Sequence, residues 1–157
     1  MEDLAPLAGG IVLREAVPAD LPAVVALLAA DQLGVHREAV DDPEPYRAAF
    51  DAIAADPAHL LVVAVDDGRV IGTMQLSFIP GLARRGAWRA QIEGVRVHAD
   101  VRSRGIGAQM MRWAVDEARR RGCALVQLTT DKQRADAHRF YERLGFVASH
   151  EGMKLAL

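Results

Sequence analysis

The chain has 157 residues, 51% hydrophobic and 25% charged, and its 19 basic and 21 acidic side chains leave a net charge of −2. This is one domain's worth of chain with an ordinary globular balance, which argues against a disordered or fibrous protein and against a general polyanion binder, so no nucleic-acid partner is expected. No apolar run approaches a membrane span, the first residues lack a basic signal-peptide region, and the one cysteine cannot form an internal disulfide; a soluble cytoplasmic protein with no membrane partner is the expectation.

Residues 1–9 read as a loose tail and residues 10–157 as one domain. Ile11 to Leu13 is a candidate first strand. Pro18 and Pro22 sit where a helix begins, since the first helical N–H groups have no intrahelical acceptor to lose. Leu21, Val24, Val25 and Leu28 follow at helical spacing. A polar stretch with Gly34, Pro43 and Pro45 leads to a second helical pattern around Tyr46 to Ala54. Leu60 to Val65 and Val70 to Ile79 flank Asp67-Gly68, a strong two-residue hairpin signal. Pro80 to Gly86 is a loop, and Trp88 to Val97 is another strand.

After His98, residues Asp100 to Gly107 lead into a helix with Ile106, Met110, Trp113, Ala114 and Ala118 on its buried stripe. Gly122 is placed to end that helix in a left-handed cap. Cys123 opens an apolar segment and reads as a packing residue rather than a nucleophile. Leu125 to Thr129 is a short strand, Arg134 to Leu144 a helix with Gly145 as its cap, and Phe146 to Ser149 with Met153 to Leu157 a closing hairpin. The order implies a mixed α/β (α+β) domain around a largely antiparallel sheet.

The most informative segment runs from Val95 through Arg102, Arg104, Gly105 and Gly107. A strand feeds a short loop with arginines and glycines, and the loop opens into an amphipathic helix. Glycines let a ligand approach the backbone, successive N–H groups point outward, and the helix N-terminus adds partial positive charge. The natural ligand is a phosphate or pyrophosphate. No Lys-Ser/Thr follows the glycines, which excludes a Walker loop, and Met110 stands where a dinucleotide fingerprint needs glycine. Taken alone, the glycines also fit a plain tight turn.

The second constellation is Ala137-x-x-x-Tyr141-x-x-x-Gly145-Phe146. Together with Arg102-x-x-Gly105-x-Gly107, at this order and separation, it resembles the GNAT superfamily of N-acetyltransferases, and the likeness extends over essentially the whole chain. The C-terminal half is similar to aminoalkylphosphonate N-acetyltransferases. The resemblance implies helices on both faces of the sheet and a V-shaped splay between the fourth and fifth strands, those holding Val97 and Leu128. It implies acetyl-CoA as cosubstrate, with Arg102, Arg104, Gly105, Ile106, Gly107 and Ala108 at its pyrophosphate. Val95, Arg96 and Val97 would lie along the pantetheine arm.

Tyr141 takes the family's general-acid position, protonating the departing thiolate; a phenol's pKa near 10 suits that role. The alternative reading is an amphipathic core residue beside Phe140. Glu93, on the strand that ends at the loop, is the candidate base; His98 is a second choice. Strict alternation puts Glu93, Val95 and Val97 on one face and Ile92, Gly94 and Arg96 on the other, unless Gly94 marks a bulge that resets the pattern. Arg134 stands where many relatives carry asparagine, either contacting a coenzyme A phosphate or solvated.

In this family the first helices and the loop between the third and fourth strands select the acceptor, here Gln32, His36, Tyr46 and Phe50 together with Arg84 and Arg85. The two arginines either recognise an anionic group or are solvated loop charges. No metal-ligand spacing stands out. The expected reaction is acetylation of a small primary amine. The competing readings are a non-catalytic acyl-CoA-binding regulatory module and an acetyltransferase acting on a polypeptide amine; a homodimer is compatible with each.

Overall fold

The computed structural model describes residues 3–31 and 33–157, so Gln32 lies outside the described residues. Six strands form one sheet in the order β1 to β6: β1 (Asp3–Pro6), β2 (Val12–Glu15), β3 (His59–Asp66), β4 (Arg69–Ile79), β5 (Trp88–Val97) and β6 (Cys123–Leu128). Each of β1 to β4 pairs antiparallel with the strand that follows it. Asp67 and Gly68, at φ 47° and 77°, make the β3–β4 turn, the double positive φ that keeps the right-handed twist of a hairpin. The chain divides into two compact units, Met1–Gln127 and Leu128–Leu157.

Within the first unit, the expected loose tail is in part a strand. Ala5 pairs with Leu13, and Gly9 and Gly10, both at positive φ, help turn the chain back between β1 and β2. Pro6 hides this strand from a propensity reading, but an edge strand tolerates a missing N–H. The strands expected as fourth and fifth are therefore the fifth and sixth.

Pro18–Asp20 is a 3₁₀ turn leading into α1 (Leu21–Ala29), whose Val24, Val25 and Leu27 are buried. Asp20 anchors this entry. Its carboxylate accepts two bonds from the Arg14 guanidinium, at 2.6 and 3.0 Å, and one from the Val17 N–H at 2.8 Å. Helix α2 (Glu44–Ala55) buries Phe50. One turn, α3 (Ala83–Gly86), joins β4 to β5, and α4 (Ile106–Arg120) follows β5. Helix α4 buries Ile106, Met110, Met111, Ala114 and Ala118; Met111 takes the place expected for Trp113, which stays half-buried. Ile11, Leu13, Val62, Val63, Met74, Leu76 and Ile92 form the centre of the core at 0–1% exposure, each contributing about 1.5–3 kcal/mol by leaving water.

The two faces of the sheet differ. A Cβ added to Gly72 would lie 3.0 Å from the Met110 sulfur, so α4 covers the face carrying Gly72, Met74 and Leu76. Phe78 belongs to the same face, and the Arg121 guanidinium just past α4 lies 4.1 Å from its ring centre. Thr73, Gln75 and Ser77 alternate onto the opposite face.

The second unit contains α5 (Ala135–Arg143), ended by Gly145 at φ 93° as the motif requires. Residues 146–157 hold no strand, which overturns the expected closing hairpin. Val147, Met153, Leu155 and Leu157 are exposed. A strand-like pattern does not become a strand without a ladder partner for its N–H and C=O groups.

Candidate active site

Strand β5 carries a bulge. Gln75 pairs with Glu93 and Thr73 with Arg96, so the single residue Met74 is opposed by both Gly94 and Val95. Gly94 has φ +61°, and a Cβ there would meet Leu28 at only an ordinary 3.5 Å. The backbone conformation, rather than lack of space, calls for glycine. The extra residue resets the alternation. Cross-strand partners share a face, so Glu93 and Arg96 lie together with Gln75 and Thr73. Val97, opposite Gly72, lies on the α4 face. The unbulged pattern, which grouped Glu93 with Val97, is corrected accordingly.

Glu93 is exposed at this bulge. Next along its face, Gln91 pairs with Ser77, and Ser77 with His59. The Ser77 hydroxyl is 2.9 Å from His59 Nδ1, and Gln127 Nε2 donates to Gln91 Oε1 at 2.7 Å. A polar row thus crosses the sheet beside Glu93. Arg96 turns back over the bulge: its Nη1 donates to the Val95 carbonyl at 2.8 Å, and its Nε is 3.2 Å from Asp31 Oδ2.

Beyond Val97 the chain makes a 3₁₀ segment, Ala99–Arg104, and Gly105 at φ +71° caps the start of α4. A Cβ on Gly105 would touch nothing within 4 Å, so only the left-handed backbone demands glycine there. The first N–H groups of α4, at Ile106, Gly107 and Ala108, have no intrahelical acceptors and carry the positive end of the helix dipole. This loop fits a pyrophosphate through its backbone.

Its arginines are engaged within the protein. Arg102 Nε donates to the Val97 carbonyl at 3.3 Å, and Arg104 Nη1 bonds Asp66 Oδ2 at 2.8 Å. The N-terminal turn also reaches this region, where the Ala8 N–H donates to Gln109 Oε1 at 2.8 Å. His98 accepts from the Asp100 N–H through Nδ1.

Of the expected acceptor residues, His36 is exposed in a 3₁₀ turn, Gly34–His36. Tyr46 accepts from the Ala39 N–H and donates to Glu38. The Ala39 bond favours the phenolate, but burial and Glu38 outweigh it and raise the Tyr46 pKa. Arg84 and Arg85 are exposed, at φ 54° and 61°, a left-handed conformation that costs a non-glycine residue about 1–2 kcal/mol.

In the second unit, Tyr141 is half-buried on α5, edge-on to Phe140 at 5.1 Å and to Phe146 at 5.9 Å. Its carbonyl accepts from the N–H groups of Leu144 and Phe146, and Arg134 stands at the start of α5. Cys123 is half-buried, its thiol pKa raised by burial against the lowering effect of Arg121. Among the described residues no group of three or more His, Cys, Asp or Glu could hold a metal ion.

Asp31, Asp66 and the Gln91–Gln127 contact escaped the sequence reading, because each depends on register or on a partner distant in the chain. The usable signal was Gly94, a glycine interrupting a strand pattern.

The loop–helix and tyrosine motifs fall within residues 23–146, which match the profile of the Acetyltransferase (GNAT) family. The chain belongs to the GNAT acetyltransferase family. It is an N-acetyltransferase, and the cosubstrate of these enzymes is acetyl-CoA. It is 34% identical over 141 residues to an aminoalkylphosphonate N-acetyltransferase of Salmonella typhimurium, covering 88% of this chain and 86% of the relative. A rice glucosamine 6-phosphate N-acetyltransferase is 34% identical over 115 residues, 71% of this chain and 68% of that one. A solved structure from Bacillus halodurans C-125, described as a transcriptional regulator, superposes with a TM-score of 0.90 at 48% identity, covering 94% of this chain and 99% of that one. Among the described residues no helix is long and apolar enough to cross a membrane.

Proposed function

We propose that this acetyltransferase acylates the primary amine of a small molecule that also bears an anionic, phosphonate- or phosphate-like group. The carrying observation is the bulged strand β5 that exposes Glu93 and runs into the Gly105-capped start of α4. Backbone amides at Gly105 to Ala108 bind the pyrophosphate, and β5 from Val95 to Val97 lies along the pantetheine arm. Acetyl-CoA supplies the thioester. Glu93 takes the proton from the attacking amine, directly or through water, and Tyr141 gives a proton to the departing sulfur. By its place in the motif, Arg134 is the candidate cation for a coenzyme A phosphate. The roles of Tyr141 and the loop follow from their positions in the family's motifs, and that of Glu93 from its place on the strand that ends at the loop.

The anionic acceptor is supported by two curated relatives, whose names specify an aminoalkylphosphonate and a sugar phosphate. In this chain Arg84 and Arg85 are the exposed cations suited to that group, with His36 and Tyr46 on the acceptor side. A cytoplasmic homodimer acting without a metal, nucleic acid or membrane completes the reading.

A thiol-release assay with acetyl-CoA and a panel of amines, aminoalkylphosphonates included, tests it. Turnover selective for anionic amines supports the proposal, and equal turnover of uncharged amines removes the anion. A peptide amine emerging as the preferred acceptor moves the reading to a polypeptide acetyltransferase. The regulator description of the 48% identical structure favours a second reading, an acyl-CoA-binding regulatory module. Calorimetric binding of acetyl-CoA without turnover of any amine would select it.

A further inference from the structure

We propose that Arg96 is a positioning residue, which through Asp31 ties the turn after α1 to the bulge of β5 and keeps the acceptor side of the site in register with Glu93. Its kinetic consequence rests on the acetyltransferase reading; its structural one does not.

In an unbulged strand Arg96 would share the face of Ile92, against Met74 and Met110, where a guanidinium could be accommodated only at a large desolvation cost. The added residue brings it opposite Thr73 and onto the face of Glu93. There the guanidinium is held twice, by a hydrogen bond from Nη1 to the Val95 carbonyl at 2.8 Å and by an ion-pair contact of Nε with Asp31 Oδ2 at 3.2 Å. Asp31 then passes the constraint on. Its Oδ1 accepts the N–H groups of Leu33 at 3.1 Å and Gly34 at 2.6 Å. These bonds hold the chain at the entrance to the turn that carries His36.

Gly34 leaves this turn little room to move. A Cβ there would fall 2.0 Å from the Leu28 carbonyl oxygen, so the backbones are in close contact. The Arg96 and Asp31 side chains are only 22% and 25% exposed, and salt screens such a pair less than a surface one. Lysine carries a point charge in place of a fork and cannot hold both acceptors in the same way.

Two measurements on the full chain test the proposal, using Arg96→Lys, Asp31→Asn and the double variant. The first is hydrogen exchange without substrates. Each single variant is expected to speed exchange about tenfold or more in both segments, 31–38 and 93–97, and to leave residues 128–157 unchanged. Acceleration in one segment alone overturns the link. The second is acetyl transfer. The amine KM should rise about tenfold and the acetyl-CoA KM by no more than about twofold, with the double variant no worse than the worse single one. Additive effects, or equal losses in both KM values, would show two unrelated structural roles. If the wild type turns over no amine, the acetyltransferase reading fails while the exchange result still decides this one. Should Asp31→Asn not fold, Arg96→Lys alone supplies both outcomes.

Discussion

Asp66 Oδ2 lies 2.8 Å from Arg104 Nη1, so the end of β3 neutralises a cation of the loop expected to meet the pyrophosphate. The binding role then falls mainly on backbone amides, and Arg104 serves to fix the loop. Arg104→Ala is expected to weaken acetyl-CoA binding by less than about tenfold and to cost no more than about 1 kcal/mol of stability, as for a part-exposed pair. Isothermal titration against the wild type measures the first. A loss of several hundredfold would mean that the guanidinium leaves Asp66 for the ligand.

Tyr141 separates chemistry from packing. Removing its hydroxyl leaves the edge-on contacts with Phe140 and Phe146 in place. Tyr141→Phe should therefore lower kcat by about 10²- to 10⁴-fold, the usual range for a lost general acid, with acetyl-CoA affinity nearly intact. Unchanged turnover in the thiol-release assay removes Tyr141 as the acid.

Glu93→Gln should impair the rate most at low pH, where the amine is hardest to deprotonate and a base matters most. The comparison needed is a pH profile of kcat/KM for both proteins. Parallel profiles, offset by a constant factor, would argue against a base at this position.

Asp20 makes stability pH-dependent. Burial pushes its carboxyl pKa up, but the Arg14 fork and the Val17 N–H outweigh burial and hold it below the ordinary value. A lowered folded pKa contributes stability that is fully present above the unfolded value of about 3.9 and is lost as pH falls through the folded value. Asp20→Asn should cost about 3 kcal/mol near neutrality by leaving Arg14 without its charge partner. In urea titrations that gap should narrow as the pH is taken below about 4; a gap independent of pH contradicts the ion-pair account.

Thr73 is 1% exposed, and its hydroxyl has no hydrogen-bond partner among the described residues. Replacing such a group by an apolar one of the same shape relieves a desolvation cost. Thr73→Val is expected to leave stability unchanged or raise it by about 1 kcal/mol, read from the urea midpoint at constant m-value. A clear loss of stability would show that the hydroxyl has a partner in solution.

What the sequence made legible were features with local causes. Asp67-Gly68, Gly122 and Gly145 all adopt the positive φ that their turn or cap demands. The strand over Trp88–Val97 has the expected limits, and Gly94 does mark a bulge. Features with distant causes were hidden. β1 exists because β2 offers it an edge, and Asp31 matters because a residue on β5 reaches it. Residues 153–157 carry a strand's alternation yet form none. In the candidate site, Glu93 and the loop glycines were readable from type and spacing. The company Glu93 keeps was not, since it required counting pairs across β4.

The β5 bulge makes this part of the protein sensitive to parity. Residues 93 and 96 point the same way only because an odd residue stands between the two ladder pairs. Losing one residue between Glu93 and Arg96 would remove the bulge and leave both on the face of Gln75 and Thr73, whereas keeping every residue without the bulge would exchange inside for outside over the rest of the strand. This stretch can therefore shorten by its one extra residue without reversing its faces, and a one-residue alignment gap between Glu93 and Arg96 is structurally credible, whereas a gap just outside the bulge is not.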